Sequence, residues 1–104
     1  MNPDVASMGR AFGEVIRTQR EAKGLDLVAL SLAIGGTPSQ GFLAKVEEGQ
    51  VGPSSSVVLR IAAVLQLPPD LMLNASGFAT EPQRVVALSA LGGVTGTGRP
   101  TNGV

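Results

Sequence analysis

Apolar residues recur along this chain at helical rather than strand spacing, in short runs broken by glycine, proline and serine. In RAFGEVIRTQREAKG, Phe12, Val15 and Ile16 share one stripe, with Gln19 and Ala22 beside it. Gly24 then reads as a terminator, and Lys23 lies in the last turn, where the helix dipole favours a cation. The pattern predicts a helix from Arg10, preceded by a loose arm over residues 1–8 because Pro3 discourages an earlier start. Asp26 is a natural N-cap for LVALSLAI, which carries Leu27, Leu30 and Ile34 at i, i+3 and i+7 before Gly35 and Gly36 stop it. A third helix has two compatible starts. Either Thr37 caps it, with Pro38 at the first position and Gln40 completing a capping box, or Ser39 caps it and Thr37-Pro38 belongs to the turn. Both starts bury Phe42, Leu43 and Val46, leave Ser39, Gln40, Ala44 and Lys45 on the other side, and end at Gly49.

Beyond a connector at 50–53, Ser54, Ser55 or Ser56 caps a fourth helix with Val58, Ile61, Ala62 and Leu65 as its apolar stripe. Leu67 faces inward, Pro68-Pro69 opens a fifth helix that supplies Leu71, Met72 and Leu73, and Ser76-Gly77 closes it. A sixth segment, EPQRVVALSALG, places Pro82 near its start and spaces Val85 or Val86 against Leu88 and Leu91. From Gly92 onward the sequence holds five glycines in thirteen residues and almost nothing to bury, which predicts a disordered tail over 92–104. The expected class is therefore all-α: a compact five-helix unit over 10–77, a candidate dimerisation helix over 81–91, and the tail. In that arrangement the sixth helix lies outside the unit and leaves Val86, Leu88 and Leu91 partly exposed.

Composition narrows the chemistry. The chain has 104 residues, no Cys and no His, so thiol chemistry, disulfides and the common zinc ligand sets are excluded, and the side chain best suited to proton transfer near neutrality is missing. No metal or cofactor site is expected, and no enzyme, because no general acid, base or activated nucleophile can be assembled; the serines at 54–56 read as a cap with spares. GVTGTGRP lacks the strand, helix and lysine of a phosphate-cradling loop. No run approaches the ~18 apolar residues of a membrane span, and MNPDVASMGR carries no signal-peptide pattern. Together with the absence of cysteine, this leads to the expectation of a cytoplasmic protein. Formal net charge is zero, from eight basic and eight acidic residues, but four of the positives, Arg10, Arg17, Arg20 and Lys23, fall within fourteen residues.

Two short, tightly joined helices flanked by others suggest a helix-turn-helix. Residues 12–77 resemble the lambda-repressor-like (Cro/CI, Xre-type) family of DNA-binding domains. The likeness runs through Ile16-Arg17, Arg20 and Lys23-Gly24-Leu25, then Leu30 and Phe42-Leu43-Ala44-Lys45-Val46-Glu47-Glu48-Gly49. It continues through Gly52-Pro53-Ser54, Leu59-Arg60-Ile61-Ala62, Leu65 and Leu67 to Asp70-Leu71-Met72-Leu73. The resemblance implies that the third helix enters the major groove of double-stranded DNA and offers Ser39, Gln40, Gly41, Ala44 and Lys45. Gln40 can pair with adenine N6 and N7, and Lys45 can reach guanine acceptors or a phosphate. Thr37 and Ser39 are then phosphate donors at the helix start, Gln50 and Ser54 sit against the backbone, and Arg17 or Arg20 adds a phosphate contact from the first helix. A structural role competes at several of these positions: Gln40 as a capping partner of Thr37, Lys45 as a solvated lysine, and Glu47 as the partner of Arg20, tying the third helix to the first.

The expected function is a small sequence-specific transcriptional regulator, a repressor that binds an inverted-repeat operator as a homodimer through Val85, Val86, Leu88 and Leu91. Departures from the family, with the smooth outer side that Gly41 and Ala44 give the third helix and the zero net charge, support an alternative, a protein-interaction module that no longer reads DNA. Leu27 stands where the family usually has a Gln, and Gly35-Gly36-Thr37-Pro38 makes the turn about two residues longer than usual.

Overall fold

The computed structural model describes residues 5–92, which form six helices and, among the described residues, no strand. They are α1 (Val5–Ala22), α2 (Leu27–Ala33), α3 (Gln40–Glu47), α4 (Ser55–Leu65), α5 (Pro69–Ser76) and α6 (Glu81–Ala90). The expected tail over 92–104 lies outside the described residues except for Gly92, as do residues 1–4 of the expected arm.

The arm expected over residues 1–8 is corrected where it can be followed: α1 begins at Val5, five residues ahead of Arg10. Proline opposes a helix where its missing N–H or its ring meets the preceding turn. Every residue from Val5 to Ala22 lies after Pro3, so the constraint does not act within α1.

The local signals that end and begin the other helices act as their chemistry dictates. Asp26, Ser39, Ser54 and Thr80 each accept a hydrogen bond from the backbone N–H three residues on, satisfying a donor the helix cannot. For α3 this selects the Ser39 start. Thr37 and Pro38 lie in the turn and Gln40 is the first helical residue, so the Thr37–Gln40 capping box does not form. A capping box does form at α6, between Thr80 and Gln83. α5 opens on Pro69 after Pro68 and closes at Gly77.

These caps orient apolar faces toward one core. Phe12, Val15 and Ile16 of α1 meet Leu30 and Ile34, Leu43 and Val46, the α4 stripe of Val57, Val58, Ile61, Ala62 and Leu65, and Met72 and Ala75 of α5. Leu27, Phe42, Leu67, Leu71 and Leu73 pack against that cluster while partly exposed.

The sixth helix departs most from expectation. α6 makes its largest contact with α5 and also touches α1. Ala87, Leu88 and Leu91 are buried in the chain's own core, with Leu88 only 2% exposed. Leu88 and Leu91 are therefore not a dimer seam, and 81–91 is not a separate element. The reason lies in α5, a short helix that packs on α4 and α1 and makes its largest contact with α6, so the apolar stripe of α6 finds its cover within the chain. Arg84 fastens the pair by donating from Nε to the Ala75 carbonyl at 3.1 Å. Val85 and Val86 remain outside, Val86 at 65% exposure, beside an open groove lined by Leu71, Asn74, Pro82 and Gln83.

Leu88→Ala is expected to destabilise the fold by about 2–5 kcal/mol in denaturant titrations, as a buried leucine does. Val86→Ser, on the same helix, is expected to change stability by no more than about 0.5 kcal/mol. Equal effects of the two substitutions would place α6 outside the core.

Candidate nucleic-acid interface

The candidate surface is the outer side of α3, so its geometry depends on how α3 is held. On its inner side α3 buries Leu43 and Val46. Helical periodicity then puts Gly41, Ala44, Lys45 and Glu48 on the opposite side and Gln40, three residues before Leu43, on the flank. Ser39, Gln40, Gly41, Lys45 and Glu48 are exposed and Ala44 is half-buried. Lys45 is the one cation of α3, and Glu48 brings an opposite charge to its C-terminal end.

α3 is fixed to α1 by a close backbone approach and an ion pair. At Gly13 an added Cβ would lie 2.1 Å from the Glu47 carbonyl oxygen and 2.7 Å from that of Val46, so no side chain fits there. One turn earlier, a Cβ on Gly9 would come to 3.4 Å from the Gly49 oxygen. Further along α1, Arg20 reaches the Glu47 carboxylate through two nitrogens, Nε to Oε2 at 2.7 Å and Nη2 to Oε1 at 3.0 Å. Its third nitrogen, Nη1, donates to the Leu25 carbonyl at 2.8 Å, in the link between α1 and α2. The two side chains are 10% and 7% exposed. The hydrogen bonds to Glu47 raise the Arg20 pKa above its ordinary value against the opposing effect of burial.

Arg20 thus takes the structural role weighed for it. Three of its five N–H donors are engaged within the fold and the residue is 8% exposed, so its guanidinium serves the link between α1 and α3 and is poorly placed for a phosphate. Arg17 stays half-exposed and pairs with Glu14 one turn before it. Lys23 donates to the Gln66 side chain at 3.0 Å.

The turn between α2 and α3 runs from Ile34 to Ser39. Gly35 and Gly36 take φ values of 111° and 87°, a region that side-chain-bearing residues avoid. Their N–H groups close α2 by donating to the Leu32 and Ser31 carbonyls at 3.1 and 2.7 Å. The carbonyls that follow are satisfied by side chains. Ser31 Oγ donates to Pro38 O at 2.8 Å, and Arg60 Nη1, from α4, donates to Ile34 O at 2.6 Å and Thr37 O at 3.1 Å. Sequence reasoning passed over Ser31, Arg60 and Gly13. Arg60 left one legible signal, as the lone charge in an otherwise apolar α4.

The remaining predicted contacts are surface groups with local partners. Thr37 is exposed. Ser39 Oγ accepts from Phe42 N–H at 3.3 Å and Ser54 Oγ from Val57 N–H at 3.3 Å, and each hydroxyl keeps its own hydrogen to donate. Gln50 Nε2 donates to Glu48 at 2.9 Å. Leu27 is half-buried and packs on the core, which explains an apolar residue at the start of α2. One turn along the outer side of α2, Val28 and Leu32 are exposed at 49% and 69%. Among the described residues no His/Cys/Asp/Glu group could hold a metal ion, and no helix is long and apolar enough to cross a membrane.

A double-mutant cycle tests the clamp. Removing one partner of a buried ion pair typically costs about 3–5 kcal/mol, so Arg20→Met and Glu47→Leu are each expected to destabilise strongly. The double variant should recover much of that loss, giving a coupling energy well above the ~0.5 kcal/mol of independent sites. Additive losses would mean the two groups do not act on each other.

Residues 11–75 match the family model described as a helix-turn-helix domain, more than half of the chain. No curated protein and no solved structure matches.

Proposed function

Because the chain belongs to the helix-turn-helix domain family, we propose that it is a DNA-binding transcriptional regulator of the lambda-repressor-like, Xre type, acting as a repressor on an inverted-repeat operator. The observation that carries this reading is the outer side of α3, exposed from Ser39 to Lys45 while the opposite side is locked to α1 and α2. A helix so presented has the shape to enter a major groove. Gln40 supplies the paired donor and acceptor that suit adenine, and Lys45 a cation for guanine acceptors or a phosphate. Gly41 and Ala44 keep the ridge low, and Ala44 offers a methyl to a thymine methyl. Thr37, Ser39, Gln50 and Ser54 are the backbone donors, with Arg17 reaching phosphate from α1 in exchange for Glu14.

A neutral chain with one cation on its reading helix gains little from phosphate attraction, which favours binding as a homodimer on two half-sites about one helical turn apart. Val85 and Val86 are the dimerisation residues of α6 that remain available, next to the groove against α5. On this reading the protein is not an enzyme, needs no cofactor and works in the cytoplasm. A second reading is favoured by one specific observation, the exposed Val28 and Leu32 on α2. They suit a protein partner, and a module of this fold that binds protein in place of DNA would use them.

Selection of duplexes from a random pool, followed by titration in salt, separates the readings. A DNA reader is expected to yield a consensus and to lose affinity steeply as salt rises. Gln40→Ala should relax one base position at a cost of about 1–3 kcal/mol, whereas Arg17→Ala should weaken all duplexes alike. If no duplex is enriched and no salt-dependent binding appears, the protein-module reading takes its place.

A further inference from the structure

We propose that Arg60 is a positioning residue for specificity: by bracing the α2–α3 turn it sets the angle at which α3 is presented, and with it the discrimination between operator and other DNA. The inference rests on the DNA-binding reading above.

The turn has unusual freedom and few restraints. Two consecutive glycines leave its backbone permissive, and Gly35, Gly36 and Thr37 are exposed, so the apolar core does not grip it. Beyond Gly36, the turn is held among the described residues by Ser31 on Pro38 and by Arg60 on Thr37. Ser31 ties α2 itself to Pro38, and Arg60 adds a brace from α4. One nitrogen, Nη1, joins Ile34 O at the close of α2 to Thr37 O just before the α3 cap, at 2.6 and 3.1 Å. It therefore fixes the two ends of the Gly-Gly segment relative to each other. Hydrogen bonds from a guanidinium are stronger than neutral ones, so a single side chain suffices. Gln40 and Lys45 follow directly on this segment, and base contacts depend on their placement, whereas attraction to phosphate does not. Both hydrogens of Nη1 go to backbone carbonyls, so through this nitrogen Arg60 acts on α3, and the salt slope below separates that role from a phosphate contact by Nε or Nη2.

The test uses the full chain with Arg60→Met, which keeps the long apolar stem and removes the donors, and Arg60→Lys, which keeps a charged donor. In the free protein, amide exchange of Gly35, Gly36 and Ser39 should rise in Arg60→Met while that of α4 stays put. Operator affinity should fall roughly fivefold or more, the low end of one good base contact, with affinity for random duplex and the salt slope unchanged. Arg60→Lys should restore part of the preference. An unchanged ratio of operator to random affinity overturns the proposal. So does an equal loss on both duplexes with a salt slope shallower by about one, the signature of a phosphate contact. If the wild-type protein binds no duplex, the DNA-binding reading fails and the specificity role with it, while the exchange data still decide whether Arg60 braces the turn.

Discussion

The buried pair of Arg20 and Glu47 is the interaction on which the rest of the structure depends. It joins the end of α1 to the end of α3 and, through the Leu25 carbonyl, to the link that begins α2. Three elements thus share one guanidinium. The pair could not form without the approach of α1 to the α3 backbone, which the missing side chain of Gly13 permits. Neither part stands alone. A charge removed from water is tolerable only when its partner is fixed in good geometry, and the glycine contact supplies that fixity. The outward side of α3 is consequently a rigid surface, with its inner side, its C-terminal end and its entry turn each held by a different kind of contact.

That rigidity contrasts with the modest chemistry the surface carries. One lysine, one glutamine, a few hydroxyls and an acid at the far end provide little long-range attraction. If this surface binds DNA as proposed, recognition would depend on fit more than on charge, because short-range contacts add up only when several are made together. The burial of Arg20 sharpens the contrast by taking one more cation off the surface. The apolar outer side of α2 stands as the competing feature, and it lies on the partner helix of the same motif.

Most of the helical scaffold was legible in the sequence, because caps and periodicity are local. Asp26, the Ser39 alternative, Ser54, the α4 stripe, Pro68-Pro69 and Gly77 could each be read within a few residues of where they act. The Arg20–Glu47 pair was readable as one of two roles for Arg20 and as the structural role of Glu47. What escaped was long-range. Gly13 looks like an ordinary weak point in a helix until the backbone of Glu47 lies against it. Arg60 is 26 residues from Ile34 in the chain, and nothing local announces that it serves the turn. The start of α1 was misread because Pro3 was taken to act on residues that follow it. The place of α6 was misjudged because its apolar stripe is the same whether it covers a neighbour in its own chain or one in another. Only its packing against α5 and α1 decides between them.

The burial of Leu88 and Leu91 has a consequence for how the molecule comes into being. α6 touches α1 as well as α5, so the first and last described helices meet across the core. During synthesis, a nascent chain that has emerged only as far as α5 holds the helix-turn-helix but lacks the core side chains Ala87, Leu88 and Leu91. Closure waits for the ten-residue α6 to leave the ribosome. The helix-turn-helix near the middle of the sequence thus belongs to a core that is complete only when α6 arrives.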